Sequence, residues 1–414
     1  MIGFDAQRTA RLTRSVLIAV LGSLSGACGT AVRKTNVSPL GSPPAVATPD
    51  LPLQTQGRWI VDRNNQRVKL AGVNWYGAEE QDYVVAGLEL AKLVDIAVEI
   101  KRMGFNSVRL PWSNELYESN PLVSDAAVAA NPQLKGLHAM DVFDAVVNAL
   151  AAQGLLIILD NHVSTADWCC YDTDGNGLWY NPRYPETNWI VDWQGMAERY
   201  RSQPTVVAVD LRNELRAGAT WGGDPQYDWH AAAQRAGNAI LSVNPNLLVI
   251  VEGINYASGL TGVAQSPIVL NFPNRVVYSA HDYAWFHSGL TSYGQVQQQL
   301  NQSWGYILTE SPPAPVWVGE FGTCHTGLSC FQDSAAGSQG LWFSSFLQYL
   351  GQSDFDWCYW PLNGTEARGT SRTFGSEETY GVLNTSWDGP AVPEEPGSGV
   401  TLLGNLQTII PPCQ

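Results

Sequence analysis

The chain has 414 residues, 45% of them hydrophobic, enough to bury one large core or two ordinary ones. Its formal charge of -15 and pI of 4.7 argue against nucleic acid or an anionic membrane as partners, since both need a basic patch, and favour a neutral substrate. Sixteen Trp exceed ordinary packing needs, and an exposed indole face suits stacking on the apolar face of a sugar ring.

In chain order, residues 1–28 read as a signal peptide. Arg8, Arg11 and Arg14 precede the apolar run Val16 to Leu24 and the small residues Ser25, Gly26 and Ala27, a stretch too short to be a transmembrane span. Leu24-Ser25-Gly26-Ala27-Cys28 resembles a bacterial lipoprotein processing site, with the Leu one residue farther from the Cys than usual. A lipid anchor at Cys28 and plain secretion are both open, so the expected location is extracellular or the cell surface. Residues 29–56, rich in Pro, Ser and Thr and without periodicity, read as a flexible linker, and residues 57–414 as the folded catalytic part.

Arg58 to Val61 and Arg67 to Leu70 predict a β-hairpin around Asp62 to Gln66, placed to cap the bottom of a barrel. Ala71 to Trp75 reads as the first barrel strand. Strands then alternate with helical patterns, the signature of βα units. Leu93, Ile96, Ala97, Ile100 and Met103 give one apolar helix face, and Met140, Phe143, Val147 and Leu150 another. The further strands are Ser107 to Leu110, Leu155 to Leu159, Val206 to Leu211, Leu247 to Val251, Val276 to Ala280, Val316 to Gly319 and Phe355 to Trp360, with a helix at Asp228 to Leu241. Eight strands close an α/β barrel of the (β/α)8 TIM type. A doubly wound open sheet is the alternative, but no Gly-rich phosphate turn follows the first strand. Val400 to Ile410 predicts a final helix on the barrel.

Seven Cys behind an export signal point to an oxidising compartment. With Cys28 set aside, Cys324 and Cys330 are the first choice for a disulfide, while Cys169, Cys170, Cys358 and Cys413 leave their pairing open.

Chemistry gathers at the strand ends. In a parallel barrel the C-terminal ends of the strands carry the active site. The run Val206 to Val209 stops on Asp210, Arg212, Asn213 and Glu214, and Val316-Trp317-Val318-Gly319 stops on Glu320. Hydrolysing an unactivated acetal needs one carboxyl to protonate the leaving oxygen and another to meet the developing oxocarbenium ion. A single strand-end Glu is commonly a salt-bridge partner, but Glu214 and Glu320 together supply that pair. Glu252 also ends a strand and ranks third, as a rim or structural group. Arg109, His162, His281, Tyr283 and Trp360 stand at other strand ends.

These strand ends carry a resemblance. Ala71-Gly72-Val73-Asn74-Trp75, Val108-Arg109-Leu110-Pro111-Trp112, Leu159-Asp160-Asn161-His162, Leu211-Arg212-Asn213-Glu214, Ala280-His281-Asp282-Tyr283, Val318-Gly319-Glu320-Phe321-Gly322 and Tyr359-Trp360-Pro361-Leu362-Asn363 resemble, in order, the motifs of glycoside hydrolase family 5, the cellulase family. The resemblance implies retaining hydrolysis of β-glycosidic bonds, with Glu214 as acid/base and Glu320 as nucleophile. It also implies that Arg109, His162, Asn213, His281, Tyr283 and Trp360, with Trp75 and Trp112, line the substrate site. The family commonly has Pro after the Asn-Glu pair, whereas Leu215 stands here, a departure that bears on subfamily more than on mechanism.

The insertion Ser164 to Asn188, with Trp168, Cys169, Cys170, Trp179 and Tyr180, makes the cleft particular to this chain. Within it, Asp172-Thr173-Asp174-Gly175-Asn176-Gly177 imitates the start of a calcium loop, but Arg183 occupies the position of the bidentate acid, so neither metal nor cofactor is expected. The leading expectation is an endo-β-1,4-glucanase acting on a polysaccharide or oligosaccharide. The alternatives are a β-mannanase, a xyloglucan-type glucanase or a glycolipid-type β-glucoside hydrolase of the same chemistry, and, from another class, a non-catalytic carbohydrate-binding barrel. A serine esterase would need a Gly-x-Ser-x-Gly elbow, which the sequence lacks.

Overall fold

Short β-branched runs flanked by amphipathic helices have few ways to bury both faces of a parallel strand, and closing the sheet on itself is one of them. The computed structural model describes residues 49–393 and 399–411. The expected signal peptide with Cys28, nearly all of the linker, and Cys413 lie outside these residues.

Two short antiparallel strands come first, β1 (Gln54–Gln56) and β2 (Trp59–Val61), paired Thr55 to Ile60. This corrects two expectations. The folded part begins before Gly57, inside the stretch expected as linker, and the hairpin partner lies upstream. Arg67 makes only a single bridge to Val61.

Eight parallel strands then close a barrel: β3 (Ala71–Asn74), β4 (Ser107–Ser113), β5 (Leu156–Val163), β6 (Val206–Asp210), β7 (Leu248–Glu252), β8 (Val276–Asp282), β9 (Val316–Phe321) and β10 (Asp356–Tyr359). β10 pairs with β3 through Trp357 and Ala71, completing the ring. The fold is the expected (β/α)8 barrel with an N-terminal hairpin. Several strands run two to four residues past their expected ends, since paired backbone continues into the polar residues that end each apolar run.

Because side chains alternate across a strand, one set fills the barrel and the other meets the helices. Ile158, Ala208, Leu248, Ile250, Val277, Trp317 and Cys358 pack together inside, and Leu53 and Ile60 of the hairpin region join the same cluster, plugging the barrel bottom. The opposite set packs against the helices. Leu93–Arg102 buries Leu93, Ile96, Ala97 and Ile100, and Ala139–Ala152 buries Met140, Phe143, Val147 and Leu150, as the periodicity requires. Asp228 caps Trp229–Val243 by accepting the Ala231 N–H at 3.0 Å. The final helix, Leu402–Gln407, buries Leu402 and Leu406, and Gln407 donates to the Met103 carbonyl at 3.2 Å. Cys324 and Cys330 form the expected disulfide, Cys169 and Cys170 are bonded to each other, and Cys358 is a buried free thiol.

Candidate active site

Two residues above the apolar plug, the inward positions turn polar: Asn74, Arg109, Asp160, Asp210, Glu252, His281 and Glu320 are all buried. At their centre Arg109 uses its whole guanidinium fork. Nε donates to Asp210 at 2.9 Å, Nη1 to Glu320 Oε1 at 2.6 Å and Asn74 at 3.1 Å, and Nη2 to Asn213 Oδ1 at 2.9 Å and Glu252 Oε1 at 3.0 Å. Asp160 lies 3.0 Å from Nη2. One fixed cation thus orients groups from β3, β6, β7 and β9 at once, which a flexible ammonium could not do.

The crowd of acids sorts itself by environment. Burial pushes Asp210 well above the usual carboxylate range, reinforced by Glu252 and opposed by Arg109. Asp160 moves down despite its burial, because Arg109 and then His162 outweigh it. Burial alone would lower His281, but Glu252, Glu320 and Glu214 raise it well above an ordinary imidazole. His281 therefore sits among three acidic side chains that favour its protonated form.

Glu320 reaches the axis through an irregularity. Strict alternation from inward Trp317 would point Gly319 inward and Glu320 outward. The β8–β9 register shifts after Ala280, so that His281 sits opposite Glu320, and the resulting bulge turns Glu320 in. Glycine is needed at 319 because a Cβ there would come within 2.8 Å of His281 Nε2 and 2.7 Å of Ser279 Oγ. Glu214 also departs from regular backbone, with φ of 45° in the left-handed region. Leu215 matters here, because a proline at that position would restrict Glu214 to extended conformations.

The two glutamates meet over His281. A carboxylate oxygen of each lies within 4.8 Å of the other and of a ring nitrogen of His281. His281 Nδ1 is 3.1 Å from Glu214 Oε1 and 3.6 Å from Glu320 Oε2, and the Tyr283 hydroxyl donates to Glu320 Oε2 at 3.1 Å. Both acids border an open cleft of about 620 Å³. His162, held by Asp160 at 2.6 Å, stacks on Trp360 with ring centroids 5.3 Å apart, and Tyr76 stacks on Trp360 at 5.2 Å. Across the cleft Trp285, 60% exposed, lies flat on Tyr283 at 4.3 Å.

Of the residues expected from sequence, Glu214, Glu320, Asn213, His162, Tyr283 and Trp360 border the cleft, and Arg109 and His281 lie directly beneath it. Trp75 and Trp112 do not belong with them. Each sits an odd number of residues from an inward position (Asn74 and Arg109), so alternation sends it outward, where it is fully buried. Trp75 donates to the Ala86 carbonyl at 2.9 Å, and Trp112 packs edge-on to Trp193 at 4.9 Å. Most of the other Trp are core residues too. Glu252 is more than a rim group, since it joins Arg109, the Glu214 backbone and His281. Sequence reasoning missed Tyr256 and Arg372, which arrive on aperiodic loops, and Trp285, on the single 3-10 turn Ala284–His287; Arg372 covers the Trp168 ring at 3.9 Å.

Three groups of possible metal ligands occur among the described residues, but their atoms are already engaged by Arg109, by His281 or by the bond between Cys169 and Cys170. In the calcium-like stretch, Asp174 pairs with Arg216 and Asp172 accepts from Tyr256.

Comparison with known proteins agrees with this geometry. The family model described as Cellulase (glycosyl hydrolase family 5) matches residues 61–366. The chain is 37% identical over 356 residues to an endoglucanase of Paenibacillus polymyxa, covering 80% of this chain and 82% of that one. It is 35% identical over 352 residues to the major extracellular endoglucanase of Xanthomonas campestris pv. campestris, covering 80% and 67%. Among solved structures, the catalytic domain of the Xanthomonas enzyme superposes with a TM-score of 0.70 at 26% identity, covering 86% of this chain and 99% of that one. A hyperthermophilic endocellulase of Pyrococcus horikoshii does so with a TM-score of 0.71 at 25% identity, covering 87% and 99%.

Proposed function

The chain belongs to glycosyl hydrolase family 5, the cellulase family, and is a glycoside hydrolase; on that premise we propose that it cuts β-1,4-linked glucan internally, with retention of configuration. The observation that carries the stereochemistry is the close approach of Glu214 and Glu320, whose nearest oxygens lie within 4.8 Å. Retaining enzymes hold their carboxyls about 5–5.5 Å apart, whereas inverting enzymes leave about 6.5–9.5 Å for an intervening water.

In this reading Glu320 is the nucleophile. Arg109 and Tyr283 each hold one of its oxygens, which fixes the carboxylate for attack on the anomeric carbon. Glu214, which meets Glu320 at His281 Nδ1, protonates the departing oxygen. It then takes a proton from the water that releases the glycosyl-enzyme. Asn213, oriented by Arg109, donates to the sugar hydroxyl next to the reacting carbon, and Trp360 and Trp285 offer ring faces to successive sugars.

Two measurements test this. Purified protein should depolymerise soluble β-1,4-glucan faster than β-mannan, xyloglucan or a β-glucosyl lipid, and preference for one of the others would reassign the substrate. Proton NMR of the first product should show the β-anomer, and an initial α-anomer would rule out the double displacement.

The basic and then apolar N-terminal stretch supports export, with the catalytic unit already begun at β1 (Gln54–Gln56). The intact mass of the mature protein separates the routes. Cleavage before Cys28 with added acyl mass marks a lipoprotein, and an unmodified N-terminus marks secretion.

A further inference from the structure

Cys169 and Cys170 are joined to each other, and both border the cleft beside Glu214. Asn213 Nδ2 lies 3.5 Å from Cys169 Sγ and 3.6 Å from Cys170 Sγ. Both sulfurs also lie within 4.8 Å of a Glu214 carboxylate oxygen. This pair comes from the insertion after β5, which the barrel does not need for closure. Its position against two candidate site residues calls for a role.

Hydrogen-bond bookkeeping supplies one. Arg109 Nη2 donates to Asn213 Oδ1 at 2.9 Å, which settles which end of the amide faces the barrel. The Nδ2 end then carries two hydrogens. It faces His162 Nε2 at 3.3 Å and the two sulfurs, which as a disulfide accept weakly and donate nothing. We propose that the Cys169–Cys170 disulfide is a positioning element of the active site: it fixes the plane of the Asn213 amide, so that its Nδ2 end stays at the cleft, beside the sugar hydroxyl next to the reacting carbon. The proposal rests on the role given above to Asn213.

Reduction by a small dithiol reverses the arrangement. The S–S bond takes two electrons and two protons to give two thiols, while the reagent closes to its own cyclic disulfide. Two unbonded sulfurs cannot both keep their places, and each now bears an S–H donor in front of an N–H donor. Losing one hydrogen-bond constraint of this kind lowers kcat by about three- to tenfold. KM stays nearly constant, because the amide acts on the transition state more than on bound substrate.

The test compares oxidised and dithiothreitol-reduced full-length protein on soluble β-1,4-glucan, with alkylation and peptide mass mapping to show which cysteines are reduced. Turnover by the oxidised protein tests the proposed function by itself, and the ratio of the two states tests this inference. The expected result is a drop in kcat that reoxidation restores, that persists in a C324S/C330S background, and that C169S/C170S reproduces without responding to the reductant. Unchanged kcat with Cys169 and Cys170 shown to be reduced would overturn the proposal. So would a loss that disappears in C324S/C330S, or one that C169S/C170S still undergoes.

Discussion

Glu252 Oε2 accepts the backbone N–H of Glu214 at 2.7 Å, while its other oxygen accepts from Arg109 Nη2 at 3.0 Å. One buried side chain thus ties the unusual backbone of one acid to the cation that holds the other. A non-glycine residue in the left-handed region costs about 1–3 kcal/mol, so Glu214 needs such an anchor.

Replacing this anchor is the first prediction. Glu252→Gln puts one amide donor against a donor and should destabilise the fold by about 2–4 kcal/mol. Chemical denaturation measures that loss. Activity of the folded fraction should fall more in kcat than in KM, because Glu214 is left poorly placed. Wild-type kcat in the variant would show that Glu214 keeps its position without Glu252.

Removing the proposed nucleophile is the second. Glu320→Ala should lower kcat by about four to six orders of magnitude while circular dichroism stays that of the folded barrel. Azide, small enough for the vacated space, should restore turnover and attack from the face Glu320 occupied. The product is then an α-glycosyl azide. A β-glycosyl azide from this variant would exchange the roles of the two glutamates.

A third prediction concerns pH. Glu79 accepts the Gly77 N–H at 2.8 Å yet is fully buried, and burial, opposed by His162, raises its folded pKa from 4.5 to about 7. The folded state then binds a proton more tightly than the unfolded state does. Stability from this group is full below pH 4.5 and is lost as pH rises through about 7. Glu79→Gln, which imitates the protonated form, should match wild type at pH 4.5 and be the more stable protein at pH 8 in parallel urea titrations. A constant difference between the two across that range would mean that Glu79 does not titrate as described.

The fourth concerns the exposed platform. Trp285 lies flat on Tyr283 with rings 4.3 Å apart and borders the cleft. Trp285→Ala should raise KM for long oligosaccharides about three- to tenfold with little change in kcat, as expected for a contact worth roughly 1 kcal/mol in ground and transition states alike. An equal fall in kcat would place Trp285 next to the cleaved bond.

Much of the architecture was legible in the residues. Val206 to Val209, Leu248 to Val251 and Val316 to Val318 are short β-branched runs between amphipathic helices, and a parallel barrel is the arrangement that buries both faces of such strands. The order of the polar residues at their ends also pointed to Glu214 and Glu320. The hairpin partner was misplaced because Gln54–Gln56 is polar and lies next to a Pro-rich stretch, so nothing in its composition marks it as a strand. Trp75 and Trp112 were misassigned because sharing a motif with Asn74 and Arg109 says nothing about which face of the strand a side chain takes.

By itself, then, the chain's pattern of apolar periods and strand-end charges determined the barrel and its strand order and marked two acids at strand ends as candidates, because period and composition are local properties. The tertiary structure alone decided the rest. The bulge at Gly319 turns Glu320 inward, Glu252 reaches the Glu214 backbone, and an insertion loop sets a disulfide against Asn213. Each depends on a register, or on a contact between residues far apart in the chain, and such relationships exist only once the sheet has closed.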